Sequence, residues 1–259
     1  MRLGISAFAG DIERAVGTCL ENGLNHIEVG IDDIGDWEFV KRQNNHVMSA
    51  GISLGVHLPM ELNPCERVNE VRACWERFVL SNVEIGRKFN VRYYNMHMGY
   101  ALERLAGSRR EILLENACVF LGGVLRKLDG EMITLENSYT KGGDMVNLGT
   151  RVSDFKRVFE SFSLGNMGFC FDTGHNLICS DEYVESFSRI TKVVHLSGND
   201  GVRDLHLGIS SEHGIGDKLL ADLLKLKETE YYVLEMDSAH YKSSISRISE
   251  LTGIQFEAE

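Results

Sequence analysis

Residues 169–175 read Phe-Cys-Phe-Asp-Thr-Gly-His. An apolar run that stops abruptly at a carboxylate is the pattern of a parallel strand buried on both faces, with its C-terminal end opening onto a polar site. The pattern recurs on both sides of this stretch. Ser53-Leu-Gly-Val-His57, Tyr93-Tyr-Asn-Met-His97 and Ile133-Thr-Leu-Glu136 precede it, and Val193-Val-His195 and Val233-Leu-Glu235 follow.

Working outward, the apolar runs predict strands over Leu3–Ser6, His26–Val29, Ser53–His57, Arg92–His97, Ile133–Glu136, Phe169–Asp172, Val193–Leu196 and Tyr232–Glu235. Helical spacing fills the intervals: Ile12 to just before Gly23, Trp37–Ser49, Glu66–Phe89, Arg109–Leu128, Val152–Phe162, Asp181–Ser188, Lys218–Lys227 and Tyr241–Leu251. Gly23, Gly51 and Gly130 each stand between a helical stretch and a strand, where a helix stop belongs. Strands alternating with helices, with no linker between them, predict an α/β chain folded as a single (β/α)8 TIM barrel over residues 1–259. An open doubly wound sheet lacks its usual glycine-rich dinucleotide loop here.

A hydrophobic fraction of 43% is enough to fill a large core. The formal charge of −11 argues against nonspecific attraction to nucleic acid or acidic membranes, although three bound divalent ions would return about +6. Neither a targeting segment nor an apolar run near the ~18 residues of a membrane span is visible. The cysteines (19, 65, 74, 118, 170 and 179) form no C-x-x-C pair and read as reduced, mostly buried thiols. The expected location is cytoplasmic.

The chemistry lies at the strand ends. His57, His97, Glu136, Asp172, His195 and Glu235 come from six consecutive predicted strands. A lone histidine at such a point is usually a hydrogen-bonded core residue, and a lone Asp or Glu a helix cap. Six together are another matter, because burying several carboxylates side by side without cations is costly. The pattern therefore predicts ligands to a cluster of divalent metals. His175 follows Asp172 by three residues on a loop able to fold back, and Asp204-Leu-His206 adds a carboxylate and an imidazole. Glu212-His213-Gly214-Ile-Gly216 predicts a tight turn, with His213 supporting the ligands from outside. His26, His46 and His240 are not expected to bind metal.

At these residues the chain resembles the endonuclease IV family of apurinic/apyrimidinic endonucleases, within the xylose-isomerase-like TIM-barrel superfamily. The resemblance rests on Gly-Val-His57-Leu-Pro-Met-Glu-Leu-Asn-Pro, Asn-Met-His97, Leu-Glu136-Asn-Ser with Asn147-Leu-Gly, Phe-Asp172-Thr-Gly-His175, His195-Leu-Ser-Gly-Asn-Asp, Asp204-Leu-His206 with Gly214-Ile-Gly, and Leu-Glu235. It implies up to three zinc ions, with manganese as a substitute. His57, His97 and Glu136 would hold the first. Glu136 would bridge to a second, shared with Asp172, His195 and Glu235, and His175, Asp204 and His206 would hold the third. It further implies metal-assisted hydrolysis of DNA 5′ to abasic sites, with Glu136 and Glu235 as the catalytic carboxylates.

The N-terminal third departs from that pattern. The family's second βα loop is longer and carries basic and polar groups, whereas Gly30-Ile-Asp-Asp-Ile-Gly-Asp36-Trp37 is short and acidic, and Trp37 reads as the start of a helix core face. Ile27-Glu28-Val29 reads like the sugar-isomerase branch of the superfamily. The alternative is thus a sugar or sugar-phosphate isomerase or epimerase, which needs only Glu136, Asp172, His195 and Glu235 around one metal. His97 and Asp204-x-His206 separate the two.

Overall fold

In the computed structural model, which describes residues 1–209 and 214–256, eight parallel strands close into a barrel. The chain forms β1 (Arg2–Phe8), α1 (Ile12–Glu21), β2 (His26–Gly30), α2 (Trp37–Ser49), β3 (Ser53–His57), α3 (Asn69–Gly86), β4 (Val91–His97), β5 (Tyr100–Leu102), α4 (Glu103–Ser108) and α5 (Arg110–Leu125). It continues through β6 (Met132–Glu136), β7 (Met145–Asn147), α6 (Val152–Phe159), β8 (Met167–Asp172), α7 (Thr173–Ile178), α8 (Tyr183–Phe187), β9 (Thr191–Leu196), α9 (Asp217–Leu224), β10 (Tyr231–Leu234) and α10 (Tyr241–Thr252). The barrel order is β1-β10-β9-β8-β6-β4-β3-β2. Each expected strand is present, within one or two residues at either end. Glu235 sits just past β10 and is tied to β9 by a hydrogen bond from its N–H to Leu196 O.

Two features depart from the expectation. An antiparallel ribbon pairs β5 with β7 over the barrel mouth, built from segments too short to show a period. The segment after Asp172 is a helix rather than a loop: Asp172 caps α7 by accepting a hydrogen bond from His175 N at 2.5 Å. Glu212 and His213 lie outside the described residues. Gly23, Gly51 and Gly130 have φ of 63°, 66° and 99°, as their helix-stop positions require.

Strand alternation sorts the core into two parts. Ile27, Val29, Leu54, Val56, Leu135 and Phe169 point outward and pack with the helices. Tyr93, Cys170, Val193, Tyr231 and Val233 fill the barrel interior below the mouth. Trp37 is buried at the start of α2, stacked on Phe89 at 5.4 Å and donating its ring N–H to Asn82. Among the described residues no helix is long and apolar enough to cross a membrane.

Candidate metal centre

The register of the barrel sets the strand ends level with one another. His97 is paired with Glu136, Asp172 with His195, and His57 with Gly30. Three groups of donors result. His57, His97 and Glu136 offer ligand atoms within 4.8 Å of one another, as do Glu136, Asp172, His195 and Glu235. The third group centres on Asp204, whose Oδ2 lies 3.4 Å from His175 Nε2 and 3.3 Å from His206 Nε2. His175 links it to the rest, its Nδ1 standing 3.1 Å from Glu136 Oε1. All nine expected residues thus converge on one mouth, with Glu136 common to two groups.

Three of the histidines are held as ligands usually are, with one ring nitrogen turned outward and the other anchored. His57 Nδ1 donates to Leu58 O at 2.8 Å, His175 Nδ1 to Asn137 O at 2.9 Å, and His206 Nδ1 to Glu235 O at 3.0 Å. Each Nε2 then faces a carboxylate. His195 is reversed: Nε2 lies 3.0 Å from Glu28 Oε1, while Nδ1 faces Glu235 Oε2 at 3.2 Å and Glu136 Oε2 at 3.5 Å. The carboxylates are braced too. Asn95 donates to Glu136 Oε2 at 2.5 Å and is itself fixed by Thr134 Oγ1 at 2.8 Å. Asn137 clamps the Asp172 backbone, accepting from its N–H at 2.7 Å and donating to its carbonyl at 2.9 Å.

The arrangement fits bound cations. Asp172 Oδ2 and His195 Nδ1, both within the second donor group, are buried without a hydrogen-bond partner in the protein. Such orphans are costly unless something satisfies them. Burial, reinforced by Glu235 and Glu136, pushes the Asp172 carboxyl up to about 7. Burial alone would depress the His57 imidazole, but the Glu136 hydrogen bond outweighs it and holds the ring at about 9. The Asp204 hydrogen bond raises His206 to about 9. Burial opposes it, yet the surrounding imidazoles hold Glu136 well below the usual carboxylate range. His97 is lowered by burial to about 4, with the Glu136 charge opposing. The charges therefore lean on one another, as expected where divalent ions belong among imidazoles and carboxylates.

A cavity of about 740 Å³ opens above the centre, walled by His57, Glu136, Glu235 and Asp204 and by Phe8 and Met60. Phe8 and Met60 are exposed. The rim is acidic: Asp11, Asp32 and Asp237 reach it, and Arg14 is drawn to Asp11 at 3.2 Å. Two carboxylates of the loop at 30–37 serve its own turn, Asp33 accepting from Gly35 N at 2.7 Å and Asp36 from Asp32 N at 2.9 Å.

The sequence reading missed Glu28 and Asn95. Glu28 is 1% exposed and grips His195; Asn95 grips Glu136. The signal lay in the strand period. Gly55 and Asn95 stand two residues before His57 and His97, so they face inward as well, and β2 pairs Glu28 with Gly55.

No family model matches the chain. Among curated proteins it is similar to a probable endonuclease 4 of Thermotoga neapolitana, 29% identical over 145 residues. That match takes in 52% of the chain and 47% of the relative, so the chain spans about half the length of the curated relatives it matches. Among solved structures it is similar to a D-tagatose 3-epimerase-like protein at TM-score 0.85 and 20% identity, covering 98% of this chain and 97% of that one. A Thermus thermophilus protein soaked with zinc chloride gives 0.77 and 21%, covering 98% of each chain. Endonuclease IV of the same organism gives 0.65 and 17%, covering 98% of this chain and 99% of that one. The chain has the closed (β/α)8 barrel of these structures, a fold shared by an L-ribulose 3-epimerase and an endonuclease IV.

Proposed function

We propose that the chain is a metal-dependent phosphodiester hydrolase with a multinuclear zinc or manganese centre, and that DNA cleaved 5′ to an abasic site is its substrate. The observation carrying this reading is the third donor group. His175, Asp204 and His206 gather beside the other two groups, with Asp204 drawn to both imidazoles. A single-ion centre needs none of these, nor His57 and His97.

The ions would be held by His57, His97 and Glu136; by Glu136, Asp172, His195 and Glu235; and by His175, Asp204 and His206. Divalent metals there supply Lewis acidity toward water and phosphoryl oxygens. The protein's part is placement. The backbone carbonyls of Leu58, Asn137 and Glu235 fix three imidazoles, and Asn95 fixes the Glu136 carboxylate. Glu136 and Glu235 are both held low, Glu235 near 2 despite burial, through His195. At neutral pH they are poor proton acceptors, so their role is to bind and orient.

A second reading has its own support. Glu136, Asp172, His195 and Glu235 alone suffice for one ion, the cavity suits a monosaccharide or its phosphate, and the acidic rim is unfavourable to a polyanionic duplex. This is the sugar or sugar-phosphate isomerase or epimerase. The discriminating experiment is incubation of metal-loaded protein with a duplex carrying one abasic analogue. The hydrolase reading predicts a nick 5′ to the lesion, lost on chelation and in Glu136→Ala; fully metallated protein that leaves the duplex intact refutes it.

A further inference from the structure

Below the proposed metal centre, the barrel interior carries a row of buried polar side chains. Ser53, His26, Glu28 and His195 are all buried, and so is the Tyr93 ring that lies among them. Ser53 Oγ is 2.8 Å from His26 Nδ1, and His26 Nε2 is 2.9 Å from the Tyr93 hydroxyl. Burial and the nearby Glu28 charge hold the Tyr93 phenol well above its usual range. Both Glu28 oxygens then approach His195 Nε2, at 3.0 and 3.1 Å. The row is built rather than incidental. A Cβ on Gly55 would come within 2.4 Å of Tyr93 Cζ, so the ring crosses the barrel only because β3 carries glycine at that point.

A buried carboxylate inside a barrel is costly unless it is used. Ser53 and Tyr93 have one proton each to give, and so does a neutral His26. Ser53 Oγ also donates to Asn25 O at 3.2 Å, so Ser53, His26 and Tyr93 form one hydrogen-bonded chain anchored to the backbone at the start of β2, beneath Glu28. On its other side Glu28 accepts the Nε2–H of His195, which leaves the Nδ1 lone pair facing Glu235, Glu136 and Asp172.

We propose that Glu28 is a positioning residue for the metal centre: it fixes the His195 ring and its Nδ1-binding tautomer, and the Tyr93–His26–Ser53 row holds Glu28 in place from below. The proposal rests on the metal reading of the site, but not on whether the reaction is hydrolysis or epimerisation. Outer partners of this kind typically change metal affinity by about 10- to 100-fold when removed.

The test is zinc affinity of the full chain by competition with a chromophoric chelator, beside the melting temperature of the metal-free protein. Glu28→Gln, of the same size, should weaken one zinc site about tenfold, and Glu28→Leu, which removes the acceptor, about a hundredfold. The metal-free melting temperature of Glu28→Gln should not fall. Tyr93→Phe should weaken the same site by less. In 15N-labelled zinc-loaded protein, the His195 Nε2–H should be a slowly exchanging imidazole proton that Glu28→Leu abolishes. Unchanged zinc affinity in both Glu28 variants, or a loss of metal-free stability with zinc affinity intact, overturns the positioning role. Wild-type protein that takes up no zinc overturns the metal centre itself, and this proposal with it.

Discussion

His26 offers a test of the barrel interior that needs no metal. Its ring is fully buried between Tyr93 and Tyr231, at centroid distances of 5.6 and 4.8 Å. Burial pulls its pKa from 6.5 down to about 3. The unfolded chain therefore takes up a proton between these values that the native protein refuses. With the folded value below the unfolded one, the His26 contribution is constant above about pH 6.5 and falls as pH drops toward 3. At about 1.4 kcal/mol per pH unit, the gap amounts to roughly 5 kcal/mol of stability lost. His26→Gln keeps the size and removes the titration. Above pH 7 the variant should be less stable by about 1–2 kcal/mol, through its altered hydrogen bonds. On acidification its stability should fall less steeply, so that the two curves cross near about pH 5. The assay is urea unfolding of chelator-treated wild type and variant at half-unit steps from pH 7.5 to 4. Parallel curves would show that His26 protonates freely in the native state, which refutes the buried interior on which the row beneath Glu28 depends.

Four further outcomes are expected. His206 has φ of 49°, a conformation asparagine tolerates, so His206→Asn should fold normally. It should bind one metal fewer per chain and nick abasic DNA roughly a hundredfold more slowly, read by elemental analysis and single-turnover kinetics. Because His57 and His206 are held near 9 without metal, metal binding must expel their protons; affinity should rise with pH from 6 to 9, with proton release seen as buffer-dependent heats in calorimetry. For the same reason, the stability these two histidines lend the chelated protein is full below about 6.5 and lost as pH rises through about 9, so the melting-temperature gain from zinc should widen over that span. Gly55→Ala should cost about 1–3 kcal/mol in denaturant unfolding, since its methyl collides with the Tyr93 ring.

The residues at the barrel mouth were legible because each interrupts a pattern. His57, His97, Glu136 and Asp172 end runs that are otherwise apolar, and a polar residue where a buried strand stops needs a reason to be there. Asp172 shows why single positions were ambiguous: one oxygen caps α7 and the other points into the centre, so capping and ligation coexist. Glu28 was less legible. It stands mid-strand between Ile27 and Val29, and only the barrel register reveals that its face is the one shared with His195. The β5–β7 ribbon was invisible because such short strands carry no period and are fixed by pairing with a segment far along the chain rather than by local preference.

The count of metal ions per chain tests the central claim most directly. Protein purified without chelators and equilibrated with zinc, then freed of excess ion, should retain two to three ions by elemental analysis, and Asp204→Ala should retain one fewer. A single tightly held ion, unaffected by Asp204→Ala, would contradict the multinuclear centre and leave the four-residue site of the epimerase reading.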